Sequence, residues 1–213
     1  MHLDFSSLAP RDRYKLLTSL VVPRPIALVT SLNLDGGVNA APFSFFNCMG
    51  SDPAIVVLGV GDHTPDVPKD TAHNIKRAGE FVVNLVDENM ADAMNICATH
   101  FPTGESEVEA AKLELAPSQQ IQTPRLATAP ASFECCEHSR LEIGRNRIII
   151  GEVLGLHIRD DLLNTEKLYV DTSGLHLIGR MGGAGGYTRT RDSFEIPRLS
   201  YEQWKSRSEK EQD

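Results

Sequence analysis

The feature that most constrains this chain is the order of its apolar runs: β-prone segments recur along it without helices placed regularly between them. Residues 26–32, 38–48, 54–60, 81–86, 131–137, 147–158 and 175–180 combine branched or aromatic side chains with turn residues nearby, the pattern of strands. A doubly wound parallel sheet needs a helix in each crossover, and helical stretches do not alternate with these runs. The pattern instead supports a mainly β fold, a barrel with appended helices. Asn33-Leu34-Asp35-Gly36-Gly37 is rich in turn residues and joins the first two runs into a hairpin. The runs at 54–60 and 81–86 are nearly continuous in apolar residues, as expected of strands buried on both faces.

Helices are expected outside the sheet. One is predicted over 10–20, with Pro10 at its start and Tyr14, Leu16, Leu17 and Leu20 on one face. A short one follows Lys69-Asp70-Thr71, with Asp70 or Thr71 as N-cap and Gly79 just past its end. Others are expected over 89–100 and from Ser106-Glu107-Val108-Glu109, which has capping-box spacing. Residues 206–213 read as a charged, frayed tail.

Several classes are disfavoured. A formal net charge of −8 argues against a nucleic-acid partner, because affinity for a polyanion rests on Lys and Arg. The apolar runs fall short of the roughly 20 residues that span a bilayer, so no membrane span is expected. Met1-His2-Leu3-Asp4-Phe5 has neither a basic leader nor an apolar core of the secretory kind. Cys48, Cys97, Cys135 and Cys136 lack metal-type spacing, and a reducing cytoplasmic setting fits them. The scattered histidines argue against a metal site, His138 after Cys135-Cys136-Glu137 coming nearest to one. At 213 residues, 41% hydrophobic and 23% charged, the chain suits one well-cored domain over 1–213.

Three segments can carry chemistry. Val22-Pro23-Arg24-Pro25-Ile26-Ala27-Leu28-Val29-Thr30-Ser31 ends in two hydroxyls, Thr30 and Ser31, able to donate to a phosphate or a ribityl chain, or simply to end an ordinary strand. Asn39-Ala40-Ala41-Pro42-Phe43-Ser44-Phe45-Phe46-Asn47 sets small residues beside aromatics and polar groups. An isoalloxazine needs such an apolar wall with main-chain hydrogen bonds, although Phe43, Phe45 and Phe46 also suit a core. Lys69-Asp70-Thr71-Ala72-His73-Asn74 brings a cation and a hydroxyl to a helix N-terminus, a combination that suits a phosphate. Asp70 would repel that phosphate, so its part is to cap the helix or to orient Lys69 or Arg77.

Taken together, these segments resemble the flavin reductase-like, FMN-binding split-barrel family, which includes flavoredoxins and the reductase components of two-component monooxygenases. The likeness lies in Arg24-Pro25-Ile26-Ala27-Leu28-Val29-Thr30-Ser31, in Asn39 to Phe46 followed by Asp52-Pro53, and in Lys69-Asp70-Thr71 with Asn74. It continues through Glu80-Phe81-Val82-Val83-Asn84 and, more weakly, from Leu177-Ile178-Gly179-Arg180 to Tyr187. It covers a core of about 12–190 and leaves 191–213 as a C-terminal extension. The resemblance implies a Greek-key split β-barrel and a homodimer with each FMN near the subunit interface. Thr30 and Ser31 would approach the ribityl or phosphate end, and Ser44 to Asn47 would line the ring. Lys69, Thr71 and Asn74 would serve the phosphate, with Arg180 completing the site or lying on the surface. The glycines at 182–186 open no helix inside a βαβ unit, so they are no dinucleotide fingerprint and are expected to form a mobile loop covering the flavin.

The function implied is transfer of hydride from NADH or NADPH to FMN. The protein's task would be to position the rings, so the lack of an acid–base pair does not count against an enzyme. A flavoredoxin-like carrier passing electrons to a protein partner, a reductase serving an oxygenase and a non-enzymatic flavin-binding module all remain compatible with the sequence.

Overall fold

The computed structural model of the chain describes residues 1–64, 67–102 and 105–210. Helix α1 (Pro10–Leu20) leads into β1 (Ala27–Leu32), β2 (Val38–Phe43), β3 (Phe46–Ser51), β4 (Ala54–Gly61), α2 (Asp70–Ala78) and β5 (Glu80–Leu85). Then come α3 (Ala91–Ile96), α4 (Glu107–Ala110), the short strands β6 (Leu115–Ala116) and β7 (Arg125–Leu126), and the long β8 (Ala131–Ile143) and β9 (Asn146–Ile158). The small pair β10 (Leu163–Asn164) and β11 (Tyr169–Val170) precedes a hairpin of β12 (Ile178–Met181) and β13 (Gly186–Arg189), and α5 (Tyr201–Lys210) follows.

Seven strands form one antiparallel sheet in the order β2-β1-β5-β8-β9-β4-β3. Its two edge strands, β2 and β3, are consecutive in the chain and joined only by Ser44 and Phe45. The step from Phe43 to Phe46 spans at most about 11 Å, whereas the edges of a flat sheet of this width lie roughly 29 Å apart. The sheet must therefore curl until its edges meet at that corner, where the Gly59 amide donates to the Phe45 carbonyl at 2.6 Å. The result is a split β-barrel. The run expected as one strand over 38–48 is thus two strands on opposite edges. Pro42 sits on an edge strand, the place in a sheet that tolerates it.

Inside the curl, alternate residues from the strands form one core, among them Ala27, Val29, Phe43, Val56, Leu58, Val60, Phe81, Val83, Cys135 and Ile149. Ala72 and Ile75 of α2 join this core and bring that helix onto the barrel. A second core covers the outer face of β1 and β5, where Leu28 and Val86 meet Met90, Met94, Cys97, Val108 and Leu126. Strand β5 is accordingly buried on both faces, as expected. Strand β4 departs from expectation: Val56, Leu58 and Val60 are buried while the residues between them are only half-buried, because no such second layer covers β4.

Close packing fixes one glycine. A Cβ on Gly151 would lie 2.5 Å from Cζ of the fully buried Phe81 ring. Gly151→Ala is expected to cost about 2 kcal/mol through overpacking, read as a lower denaturant midpoint. An unchanged midpoint would show that Phe81 can move aside.

Other local expectations change in detail. The N-cap of α2 is Lys69, with no side-chain cap bond, and Asp70 is the first helical residue, whereas Gly79 closes the helix at φ 72°. The helix expected over 89–100 is confined to Ala91–Ile96, while Ser106 does cap α4, its Oγ accepting from the Glu109 amide at 3.3 Å. Gly182 and Gly185 take positive φ in the turn of the β12–β13 hairpin, so the glycine cluster forms a hairpin end. The tail is helical through Lys210, begun by reciprocal bonds between Ser200 and Gln203, and 211–213 lie outside the described residues. Among the described residues, no helix is long and apolar enough to cross a membrane.

Candidate functional site

Strand β2 and the start of α2 wall a cleft of about 280 Å³, lined by Asn39, Ala41, Pro42, Lys69, Asp70 and Thr71 together with His63, His100 and Glu107. Beneath it lies a buried polar network. Asn39 Nδ2 donates to Thr71 Oγ1 at 3.0 Å and to Ser31 Oγ at 3.5 Å. Asn74 Nδ2 donates to Ser31 Oγ at 3.2 Å and to Asn33 Oδ1 at 2.7 Å. Since Thr71 Oγ1 accepts from Asn39, its own proton remains available to a ligand. The structure thus brings Ser31, Thr71 and Asn74 together, as the sequence suggested, and adds Asn39.

Lys69 stands at the head of α2, half-buried, with its ammonium 5.5 Å from the centroid of the Phe43 ring. Burial lowers its pKa from the ordinary 10.5, and among the described residues no carboxylate pairs with it. A desolvated, unpaired ammonium is costly, and an arriving anion relieves that cost. The first-turn amides of α2 add positive potential at the same place. The donor set therefore fits a phosphate group. Asp70 is exposed beside it in the first turn.

A second group gathers at the Ser44–Phe45 corner. Arg24 is only 4% exposed and donates to Ser44 Oγ at 3.3 Å, to the carbonyls of Thr18 (2.6 Å) and Val21 (2.9 Å), and to that of Gly182 (2.8 Å). Its backbone pairs with that of Arg180, whose guanidinium stacks 4.6 Å above the Tyr187 ring. Arg24 thus ties α1, the corner and the β12–β13 hairpin together. Phe45 is exposed and stands 6.3 Å from Tyr14 of α1, and Asn47 is exposed on β3. Phe43 is a barrel-core residue and Phe46 packs against that core, the alternative that their aromatic character had left open.

Thr30 lies elsewhere. It is fully buried, donating to the Pro124 carbonyl at 2.7 Å and accepting from Asn84 Nδ2 at 3.3 Å. Neighbouring strand residues point to opposite faces, so Ser31 joins the cleft network while Thr30 fastens the 124–126 segment to the outer face. The site residues not singled out from sequence, Arg24 and Asn39, lie inside the very segments that drew attention. Their partners are 20 and 32 residues away, for Ser44 and Thr71 respectively, a pairing no local pattern encodes. Burial pushes the Cys97 thiol up to about 12 and the Cys135 thiol higher still, so neither is a ready nucleophile. No group of three or more potential metal ligands is present among the described residues.

A curled antiparallel sheet whose two edges meet at one corner defines the split-barrel class of fold. The family model for the flavin reductase like domain matches residues 19–177, and the chain belongs to that family. An uncharacterised protein of Deinococcus radiodurans is 50% identical over 208 residues, covering 95% of this chain and 92% of that one. The 2-nitrobenzoate 2-nitroreductase of Pseudomonas fluorescens has a similar structure, with a TM-score of 0.86 and 40% identity over 94% of this chain and 98% of that one. Component B of nitrilotriacetate monooxygenase from Bacillus cereus superposes with a TM-score of 0.87 and 32% identity, over 92% and 98% of the two chains. The family match ends before Arg180, so it does not bear on that residue.

Proposed function

We propose that this protein is an NAD(P)H-dependent flavin reductase that holds FMN in the cleft at the head of α2. The observation that carries the reading is Lys69: a half-buried cation, unpaired among the described residues, beside the Thr71 hydroxyl and the free end of a helix. A terminal phosphate monoester, which FMN has and riboflavin lacks, suits that cradle. Ser31, Asn39 and Asn74 hold Thr71 in place, Ser44, Phe45 and Asn47 offer polar and flat surfaces to the ring, and Arg180 borders the corner. The bound flavin supplies the two-electron chemistry, and the chain supplies orientation and hydrogen bonds.

A homodimer belongs to the same proposal. Much of the apolar face of α1 is open, with Leu20 76% exposed and Tyr14, Leu17 and, at the neighbouring corner, Phe45 also presented to solvent. A second copy covering that surface would sit beside the corner group. Likeness to a monooxygenase component supports an oxygenase as recipient of reduced flavin, and likeness to a nitroreductase supports direct delivery to an organic acceptor.

The test is the visible spectrum of the FMN-loaded protein during anaerobic addition of NADH and, separately, NADPH. Bleaching of the flavin band on a catalytic timescale is the expected result. Absence of flavin binding would overturn the proposal, and binding without bleaching would favour an electron carrier or a sensor.

A further inference from the structure

We propose that His63 and His100 are further ligands of the flavin phosphate, and that the phosphate is held more tightly when this pair takes up a proton; the inference rests on the phosphate cleft assigned above. The two residues come from different connections, β4 to α2 and α3 to α4, yet their rings meet edge to face with centroids 4.2 Å apart at an angle of 89°. Both line the cleft that holds Lys69 and Thr71. Neither side chain has a hydrogen bond or ion pair among the described residues; the edge of one ring meets the face of the other, which leaves the second ring's edge unengaged.

The charges around them explain why a proton matters. Lys69, Asp70 and Glu107 share the cleft, giving one cation against two carboxylates. Burial raises the Glu107 pKa, with Asp70 nearby adding to the effect. Asp62, next to His63, is committed to Arg147, and the Cys97 thiol is neutral. With both imidazoles uncharged, Lys69 is the one cationic side chain lining the cleft among the described residues to meet a phosphate that carries about −1.5 to −2 charge. Histidine is the side chain that changes charge between about pH 5 and 8. One imidazolium resting against its neighbour's π face would supply the missing cation, whereas two at this separation would repel each other. The room for one further cation in this cleft is what the proposal assigns to the pair.

The full chain is titrated with FMN and, separately, with riboflavin at about pH 6.5 and about pH 8.5, where the phosphate remains mostly dianionic. FMN is expected to bind about tenfold more tightly at the lower pH, while riboflavin, without a phosphate, shows little change. His63→Gln combined with His100→Gln should remove the FMN slope. As a check on the unaltered protein, calorimetry near about pH 7 in buffers of different ionisation enthalpy should show proton uptake with FMN in excess of that with riboflavin. A flat FMN response in the unaltered protein, a slope retained in the double variant or equal proton uptake with both ligands would each overturn the inference. If Lys69→Ala with Thr71→Ala left FMN affinity unchanged at both pH values, the cleft assignment itself would fail instead.

Discussion

Replacing Lys69 and Thr71 together by alanine is expected to weaken FMN binding by at least about tenfold, because each charge-assisted hydrogen bond lost is worth roughly 1.5–3 kcal/mol and tenfold requires only about 1.4 kcal/mol. Riboflavin affinity should change far less, since the proposal assigns both side chains to the phosphate. Fluorescence titration with the two ligands reads the difference directly. The same lysine adds a pH dependence at the alkaline end. Its pKa in the free protein lies below 10.5 because of burial, and a bound anion raises it again. Binding assisted by the ammonium is therefore present below the free-protein pKa and fades as pH rises through it. Lys69→Ala should abolish that alkaline fall, and equal losses for FMN and riboflavin would reject the phosphate assignment.

The second large effect is on stability. Arg24→Ala is expected to destabilise the fold by about 3 kcal/mol or more, since it leaves several acceptors without their donor at once. These acceptors lie on α1, at the corner and in the hairpin turn, so no single neighbour can replace the lost bonds. Arg24→Lys should recover only part of the loss, because an ammonium on a flexible stem lacks the planar fork that reaches them together. Chemical denaturation of the two variants measures both statements. A loss under about 1 kcal/mol for Arg24→Ala would mean that water replaces the guanidinium without penalty. The variant should also loosen the Ser44 corner and with it the ring end of the flavin site, while the Lys69 end, held by α2, stays in place.

Much of the candidate site was legible because its residue types are grouped locally. Lys69 and Thr71 are adjacent to a helix start, and a helix start attracts anions whatever the rest of the chain does. The placing of Thr30 away from the cleft and the part played by Asn39 and Arg24 share another cause. Thr30 and Ser31 are neighbours with the same chemistry, and only the layers packed against β1 decide which of them reaches the cleft. Asn39 matters because β2 passes beside α2, and Arg24 because three distant segments converge on it. Apolar continuity likewise marked 54–60 as a strand, but the face left half-exposed on β4 reflects which helices cover which side of the sheet.

By itself, the sequence determined most of the strand segments, the helices at 10–20 and after Lys69, and the placing of a cation and a hydroxyl at a helix start. Those follow from side-chain periodicity, backbone preference and the exposed amides of a helix end, all of which act within a few residues. Only the tertiary structure decided where the expected barrel closes, with β2 and β3 meeting across Ser44 and Phe45 at the two edges of one sheet. That closure depends on pairing between strands far apart in the chain and on which faces find a second layer. The same long-range packing sets Asn39 against Thr71, His63 against His100 and Arg24 beneath the corner.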